Sequence, residues 1–97
     1  MEKLFYNINA QEYSESQQIA VPDNCNGMTL INRGDGIVYV NNIPLSPNPT
    51  PGAAGEAVSI GGNVGEYYNG RLTVNFAAQT IPLLIVIFKY YVNPNYA

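Results

Sequence analysis

The chain has 97 residues, close to the usual size of one compact domain and too short for a second hydrophobic core. Only 11% of the residues are charged, against roughly 25% in ordinary soluble domains, and four Lys and Arg residues are too few to track a phosphate backbone. We therefore expect one domain, residues 1–97, that binds no nucleic acid and hides part of its weakly charged surface against other proteins.

The side-chain inventory excludes the commonest catalytic and metal-binding arrangements. The chain has no histidine, so neither a Ser-His-Asp or Cys-His catalytic group nor an imidazole metal site can form. Cys25 is the single cysteine, and we expect it to pack as a small, semi-buried apolar residue. Two alternatives to a chain without chemistry are weaker. One is a catalytic carboxylate pair formed by Glu56 and Glu66. The other is a calcium loop at residues 23–27, which lacks the acidic residue that closes such a loop. We expect no enzyme activity, cofactor or metal.

Apolar residues recur with period two, and Gly, Pro and Asn clusters interrupt the chain at intervals of roughly 8 to 12 residues, as in β-sandwiches and barrels. The first predicted strand is 4–8, with Leu4, Tyr6 and Ile8 on one face. The polar stretch Gln11 to Gln18 predicts an exposed connection. A short strand at 18–21 follows.

The clearest predicted hairpin joins strands Met28–Asn32 and Ile37–Asn41 through Arg33–Gly36. Two glycines in that segment supply the positive φ angles of a tight reversal. Asn41-Asn42 predicts a second turn, since Asn tolerates left-handed backbone. It leads to a short edge strand at 43–45, where Pro44 needs no backbone partner.

Residues 46–55 contain three prolines and two glycines, which predicts an exposed loop over one end of the sandwich or, alternatively, a partner-binding tongue. A strand at 57–60 follows. Residues 64–68 are predicted to lead into a two-residue reversal at Asn69-Gly70.

The strand Arg71–Phe76 alternates fully, so we expect Leu72, Val74 and Phe76 to face inward. Leu83–Phe88 has no alternation, which predicts a central strand with both faces covered. The apolar run around it is too short to cross a bilayer as a helix, so no membrane association is expected. Residues 93–97 are predicted to be a tail beyond the last strand.

Two groups of residues are candidates for partner contacts. Tyr67-Tyr68 and Tyr90-Tyr91 are adjacent pairs, so one ring of each pair should point outward, and outward tyrosines make good contact residues. Arg33-Gly34-Asp35 matches the integrin-recognition tripeptide, but the backbone angles of a turn favour Gly-Asp-Gly regardless of any recognition role, so we prefer the turn interpretation. The candidate contact residues are Tyr67, Tyr68, Tyr91, Arg33 and Asp35.

Four segments, in this order, carry a resemblance to a known group of proteins: Asn32–Gly36, Val38–Leu45, Ile60–Glu66 and Leu83–Lys89. From Ile31 to Tyr91 the chain resembles small β-sandwich structural proteins of tailed-bacteriophage virions, which decorate heads or form fibre and spike parts. The resemblance implies a non-enzymatic virion subunit, assembled in the host cytoplasm, symmetric and often trimeric, that contacts a capsid or tail lattice. A receptor- or carbohydrate-binding module is the alternative. The expected fold is an all-β, jelly-roll-like sandwich of seven or eight antiparallel strands.

Overall fold

A computed structural model describes residues 5–50 and 53–92, so the predictions on Leu4 and on the tail 93–97 lie outside the described residues. These ranges contain strands and loops only, and no helix that could span a membrane. The strands are β1 (Phe5–Tyr13), β2 (Gln17–Ala20), β3 (Cys25–Asn32), β4 (Val38–Val40), β5 (Ile43–Leu45), β6 (Ala57–Gly61), β7 (Arg71–Phe76) and β8 (Leu84–Val92).

The strands form two four-stranded antiparallel sheets, in the orders β1-β8-β3-β6 and β2-β7-β4-β5. The first strand pairs with the last, the second with the seventh, the third with the sixth and the fourth with the fifth. The chain is therefore one long hairpin wound over itself, and the β3–β8 and β4–β7 pairs complete each sheet. This connectivity is a jelly roll. It confirms the predicted all-β sandwich.

Side chains from alternate positions of both sheets fill the space between them. Leu72 and Val74 of β7 are fully buried, as the alternation predicted, while Phe76 is half-buried. Each large apolar side chain buried in this way contributes roughly 1.5 to 3 kcal/mol to folding. The buried apolar residues are Ile19, Cys25, Met28, Leu30, Val38, Val40, Leu45, Leu72, Val74, Leu84, Val86 and Phe88.

The hairpin predicted across Arg33–Gly36 is wrong. β3 pairs with β6 and β8, while β4 pairs with β5 and β7, so the two strands belong to different sheets. The segment carries the chain from one sheet to the other. Glycines indicate where a chain can reverse, but the choice of partner strand depends on distant segments that local sequence does not reveal.

Asn32, a residue to which the sequence assigned no role, holds this crossing. It is fully buried, and its Nδ2 donates to the carbonyls of Gly36 at 2.9 Å and Leu45 at 2.8 Å. Its Oδ1 accepts from the backbone N–H of Gly34 at 2.9 Å. One side chain thus satisfies three backbone groups from the crossing and from the end of β5.

The turn at Asn41-Asn42 is confirmed. Both residues have positive φ angles, 48° and 68°, and Val40 pairs directly with Ile43 across them. Two left-handed residues in a two-residue loop match the twist of the flanking strands. Asn41 also ties the hairpin to β7, because its Oδ1 accepts from the N–H of Thr73 at 2.7 Å.

The described part of the loop at 46–55 is exposed or half-buried and contains no strand, as predicted. Its base is fixed at the crossing end of the sandwich, where the N–H of Gly55 donates to the carbonyl of Asn32 at 2.7 Å. Glu56 closes the loop, since its N–H donates to the carbonyl of Ser46 at 2.9 Å and its carboxylate accepts from the N–H of Ser46 at 2.7 Å.

Three further predictions need correction. β1 continues to Tyr13, so residues 11–13 are strand and only 14–16 connect to β2, because pairing with β8 overrides the polar composition of that stretch. Residues 64–68 form no strand, so Asn69-Gly70 does not close a hairpin. β8 is central, as predicted, but only one of its faces is buried: Ile85 and Ile87 are half-buried.

Candidate interaction surface

The β1-β8-β3-β6 sheet turns one face away from the core, and we call this its outer face. Val86 and Phe88 point inward, so the odd-numbered residues of β8 point outward. Directly paired residues share a face, so the register extends this assignment to the other strands. The outer face comprises Tyr6, Ile8, Ala10 and Glu12 of β1, Ile85, Ile87, Lys89 and Tyr91 of β8, Gly27, Thr29 and Ile31 of β3, and Ala57, Ser59 and Gly61 of β6.

This outer face is apolar for a surface open to solvent. Ile8 is 67% exposed and Tyr6 58% exposed, and Ile31, Ile85 and Ile87 are half-buried. Glu12 and Lys89 are the only charged residues among those that form it. An antiparallel sheet ordinarily pairs a buried apolar face with a polar solvated one, so a second apolar face is unusual.

The outer face of the other sheet is polar, as that rule requires. Leu72 and Val74 point inward, so Arg71, Thr73 and Asn75 of β7 point away from the core. Their cross-strand partners on this face include Gln18, Ala20 and Tyr39. The two sheets of one small sandwich therefore present different outer surfaces.

A depression interrupts the apolar outer face where two glycines pair. Gly27 of β3 lies opposite Gly61 of β6, so neither strand projects a side chain there. The depression has a volume of about 340 Å³, and its rim includes Ile8, Ile87 and Lys89. A partner's side chain would find an apolar recess beside a positive charge at this point.

β1 forms one edge of the same sheet. It is nine residues long, pairs continuously with β8 from Phe5 to Tyr13, and contains no proline, glycine or lysine. Proteins usually protect an exposed edge with short strands, prolines, lysines or bulges. The β5 edge of the other sheet follows that rule, because β5 has three residues with Pro44 at its centre. β1 has none of these devices.

The tyrosines lie at the end of the sandwich away from the crossing. Tyr67 is 54% exposed, and its ring meets that of Tyr91 edge to face at a centroid distance of 5.7 Å. Tyr68 packs against the core, and its hydroxyl accepts from the amide of Asn41 at 3.3 Å. Tyr90 also packs against the core. Each adjacent pair thus has one inward ring, although 67–68 is not a strand.

A cavity of about 240 Å³ lies beside these rings, lined by residues that include Asn26, Met28, Glu66, Tyr67 and Tyr68. Ligand pockets typically measure roughly 300 to 1,000 Å³, so this cavity is small. Two of its polar side chains, those of Asn26 and Glu66, are already engaged. Nδ2 of Asn26 donates to the carbonyls of Asn63 at 3.0 Å and Glu66 at 2.8 Å. A carboxylate oxygen of Glu66 accepts from the N–H of Asn63.

Arg33 and Asp35 lie at the opposite end, where β3 ends, so the structure does not bring them together with the tyrosines. Asp35 bonds within its own chain: its Oδ1 accepts from the N–H of Ile81 at 2.8 Å and its Oδ2 from the N–H of Thr80 at 3.2 Å. The carboxylate thus fixes the loop that leads into β8. These bonds favour the turn interpretation of the tripeptide.

The remaining titratable candidates are also engaged in local structure. Glu56 precedes β6 and Glu66 follows it, so the strand separates the two carboxylates. The backbone N–H of Ser46 lowers the pKa of Glu56 below its usual value. Cys25 is fully buried, as an apolar residue would be, and burial raises the pKa of its thiol. The described residues contain no group of three or more His, Cys, Asp or Glu side chains placed to hold a metal ion.

No family model, curated protein or solved structure matches this chain. The assignment of the candidate surface therefore depends only on the structure of this chain. Sequence reasoning singled out the tyrosines but missed the outer face formed by Ile8, Ile85 and Ile87. The lack of alternation in β8 was the available signal, and it was attributed to burial within the domain.

Proposed function

We propose that this protein is a non-enzymatic structural subunit of a larger assembly, an accessory or fibre component of a bacteriophage virion. The apolar outer face of the β1-β8-β3-β6 sheet lies against another virion protein of the capsid or tail lattice. The proposal rests above all on the contrast between this face and the polar face of the other sheet.

The physical argument starts from what an isolated domain needs. Folding requires each sheet to bury one apolar face, and Leu30, Val86 and Phe88 already fill that role for this sheet. The isoleucines on the opposite face add nothing to that core. Contiguous exposed apolar area on a soluble protein usually marks a site of interaction. A lattice protein that covers Ile8, Ile85 and Ile87 removes this area from water.

The fold is compatible with this role but does not select it. Jelly rolls occur in viral capsid proteins and also in lectins, so architecture alone leaves both classes open. The resemblance of Ile31 to Tyr91 to small virion sandwich proteins favours the first class. The low charge of the chain supports the same choice, since a free monomer normally carries more charge than 11% of its residues.

The test is incorporation into particles. Virions are purified from cells that produce the protein, and the bound chain is quantified by mass spectrometry for wild type, Ile87→Lys and Thr73→Lys. Both variants place a lysine on a central strand, one on the apolar outer face and one on the polar face. We expect Ile87→Lys to lower incorporation at least tenfold and Thr73→Lys to leave it unchanged. Absence of the wild-type chain from particles would reject the proposal.

The alternative is a carbohydrate-binding module, and the cavity beside Tyr67 is the observation that favours it. Exposed tyrosine rings next to a recess suit a sugar ring, although the small volume and the engaged Glu66 argue against it. A glycan array decides between the two. Saturable binding of a defined glycan that is lost in Tyr67→Ala, with Tyr39→Ala as an exposed-tyrosine control, would favour the module.

A further inference from the structure

We infer that two copies of this chain pair through their β1 edges, antiparallel about a twofold axis, to form one continuous eight-stranded sheet. The inference rests on the proposed function, because it names one contact through which the subunit assembles. Three observations carry it: the direction of the backbone groups, the unprotected edge, and the placement of two charges.

Hydrogen bonds at both ends of β8 show where its backbone groups point. The carbonyl of Leu83 accepts from the N–H of Arg33 at 2.9 Å, and the N–H of Tyr91 donates to the carbonyl of Asn24 at 3.0 Å. Both contacts lie on the β3 side. In an antiparallel ladder the N–H and C=O of one residue point the same way, so the odd-numbered residues of β8 face β3 and the even-numbered ones face β1.

The β1–β8 register carries this parity to β1. Leu84 lies opposite Tyr13 and Phe88 opposite Asn9, so the odd-numbered residues of β1 bond to β8. The even-numbered residues direct one N–H and one C=O each to the free edge, which no other described strand covers. Those residues are Tyr6, Ile8, Ala10 and Glu12, eight backbone groups in all, and their side chains lie on the apolar outer face.

A twofold axis opposite Asn9 matches these groups to themselves. Tyr6 then lies opposite Glu12 of the second copy and Ile8 opposite Ala10, so every free-edge N–H meets a C=O. All eight groups on each copy are satisfied in one register, and no residue of β1 needs to bulge. The same axis keeps the apolar outer faces of both copies on one side, where they form a single surface twice as wide.

Charge complementarity supports this register. Nζ of Lys89 lies 4.7 Å from the ring centroid of Tyr6 on the outer face. The register brings Glu12 of the second copy opposite Tyr6, so the single carboxylate of each β1 approaches the lysine beside the partner strand. By symmetry the contact occurs twice. A shift by two residues separates the opposite charges and leaves backbone groups unpaired at both strand ends.

Oligomeric mass and a matched pair of prolines test the inference. The mass of the full chain is measured by light scattering after size exclusion, and by sedimentation, from roughly 1 µM to 1 mM. We expect a dimer for wild type. Ala10→Pro removes an N–H at the free edge without removing a bond to β8. We expect the dimer affinity to fall at least roughly 100-fold, since each copy loses one hydrogen bond across the dimer and the proline ring prevents close approach of the two β1 strands.

The control is Ala57→Pro, at the other edge of the same sheet. The N–H of Gly62 donates to the carbonyl of Asn26, and the carbonyl of Glu56 accepts from the N–H of Asn32. The backbone groups of even-numbered positions along β6 therefore point to β3, and those of Ala57 point to the free edge. Both changes replace an outer-face alanine at a free edge. We expect Ala57→Pro to remain dimeric. Wild type that stays monomeric or forms trimers, or a dimer that survives Ala10→Pro, would overturn the inference.

A charge swap keeps the inference testable if Ala10→Pro fails to fold. Glu12→Lys should weaken the dimer by roughly tenfold, since it sets two lysines near each other, and Glu12→Lys with Lys89→Glu should restore it. Equal dimer affinity in all three proteins would contradict the register. A monomer that still enters virions would refute the edge pairing and leave the structural role standing, whereas a dimer absent from virions would do the reverse.

Discussion

The outer faces of the two sheets differ although the sheets share one core. In the β2-β7-β4-β5 sheet, Arg71, Thr73 and Asn75 give the exposed side of the central strand β7 a polar surface. In the β1-β8-β3-β6 sheet, the corresponding side of the central strand β8 carries Ile85 and Ile87. Folding of the monomer explains the first pattern completely and leaves the second without a function inside the domain.

The two sheets also differ at their edges. β5 is short and contains Pro44, whereas β1 is long, regular and without protection. The apolar face and the unprotected edge belong to the same sheet. Each feature is unfavourable in a solitary molecule, and their coincidence on one sheet is the observation on which the proposed contact with other proteins depends.

The largest predicted effect comes from mutating two adjacent residues of β8, one on each face of the strand. Phe88→Ala removes a buried ring and should lower the free energy of unfolding by about 3 to 5 kcal/mol. Ile87→Ala removes a half-buried side chain on the outer face and should cost about 1 kcal/mol. Urea denaturation followed by circular dichroism measures both, with Phe88→Leu as a milder variant if the alanine does not fold.

Similar losses at Phe88 and Ile87 would show that the outer isoleucine stabilises the isolated fold, and the distinction between the two faces of β8 would fail. The measurement is made at low protein concentration, because association through the outer face would add apparent stability to wild type and enlarge the effect of Ile87→Ala.

A second prediction concerns the crossing that keeps the two sheets in register. Asn32→Ala leaves the carbonyls of Gly36 and Leu45 and the N–H of Gly34 without their buried partner, which should cost about 2 to 3 kcal/mol. Asn48 is the matched control, since its side chain also bonds backbone groups but lies in the loop at 46–55. Its replacement by alanine should cost about 0.5 kcal/mol.

Thermal unfolding of both asparagine variants gives the comparison directly. A loss at Asn48 as large as that at Asn32 would mean that the loop stabilises the fold as much as the crossing does.

The smallest predicted effect is the pH dependence of the loop closure at Glu56. The N–H of Ser46 lowers the pKa of this carboxyl below its ordinary value of 4.5. A depressed folded-state pKa contributes stability above the unfolded-state value, and this contribution is lost as the pH falls through the folded-state pKa. As the pH falls from about 5 through the folded-state pKa of Glu56, the Tm of wild type should therefore decrease more than the Tm of Glu56→Gln.

Parallel Tm curves for wild type and Glu56→Gln would show that the bond to Ser46 contributes no net stability. The amide of Gln accepts a hydrogen bond without titrating in this range, so it preserves the shape of the loop while removing its dependence on protonation.

The residues of the candidate surface show how far local sequence extends. The adjacent tyrosine pairs predicted one outward ring each but not which one. The structure assigns these positions to Tyr67 and Tyr91, and their contact at 5.7 Å joins segments that no pattern links. Asp35 was assigned to a turn, and the structure adds that its carboxylate holds the N–H groups of Thr80 and Ile81. Such bonds between residues far apart in the chain leave no local signature.

The amino-acid sequence by itself determined the features that depend on near neighbours: an all-β fold, the inward residues of β7, the left-handed turn at Asn41-Asn42 and the central position of β8. Only the tertiary structure decided which strands pair, how far β1 extends, and that Ile8, Ile85 and Ile87 face away from the core. Period and turn chemistry act over a few residues, whereas pairing and the choice of face depend on contacts between distant segments. The same apolar run therefore serves a core on one side and an outer surface on the other.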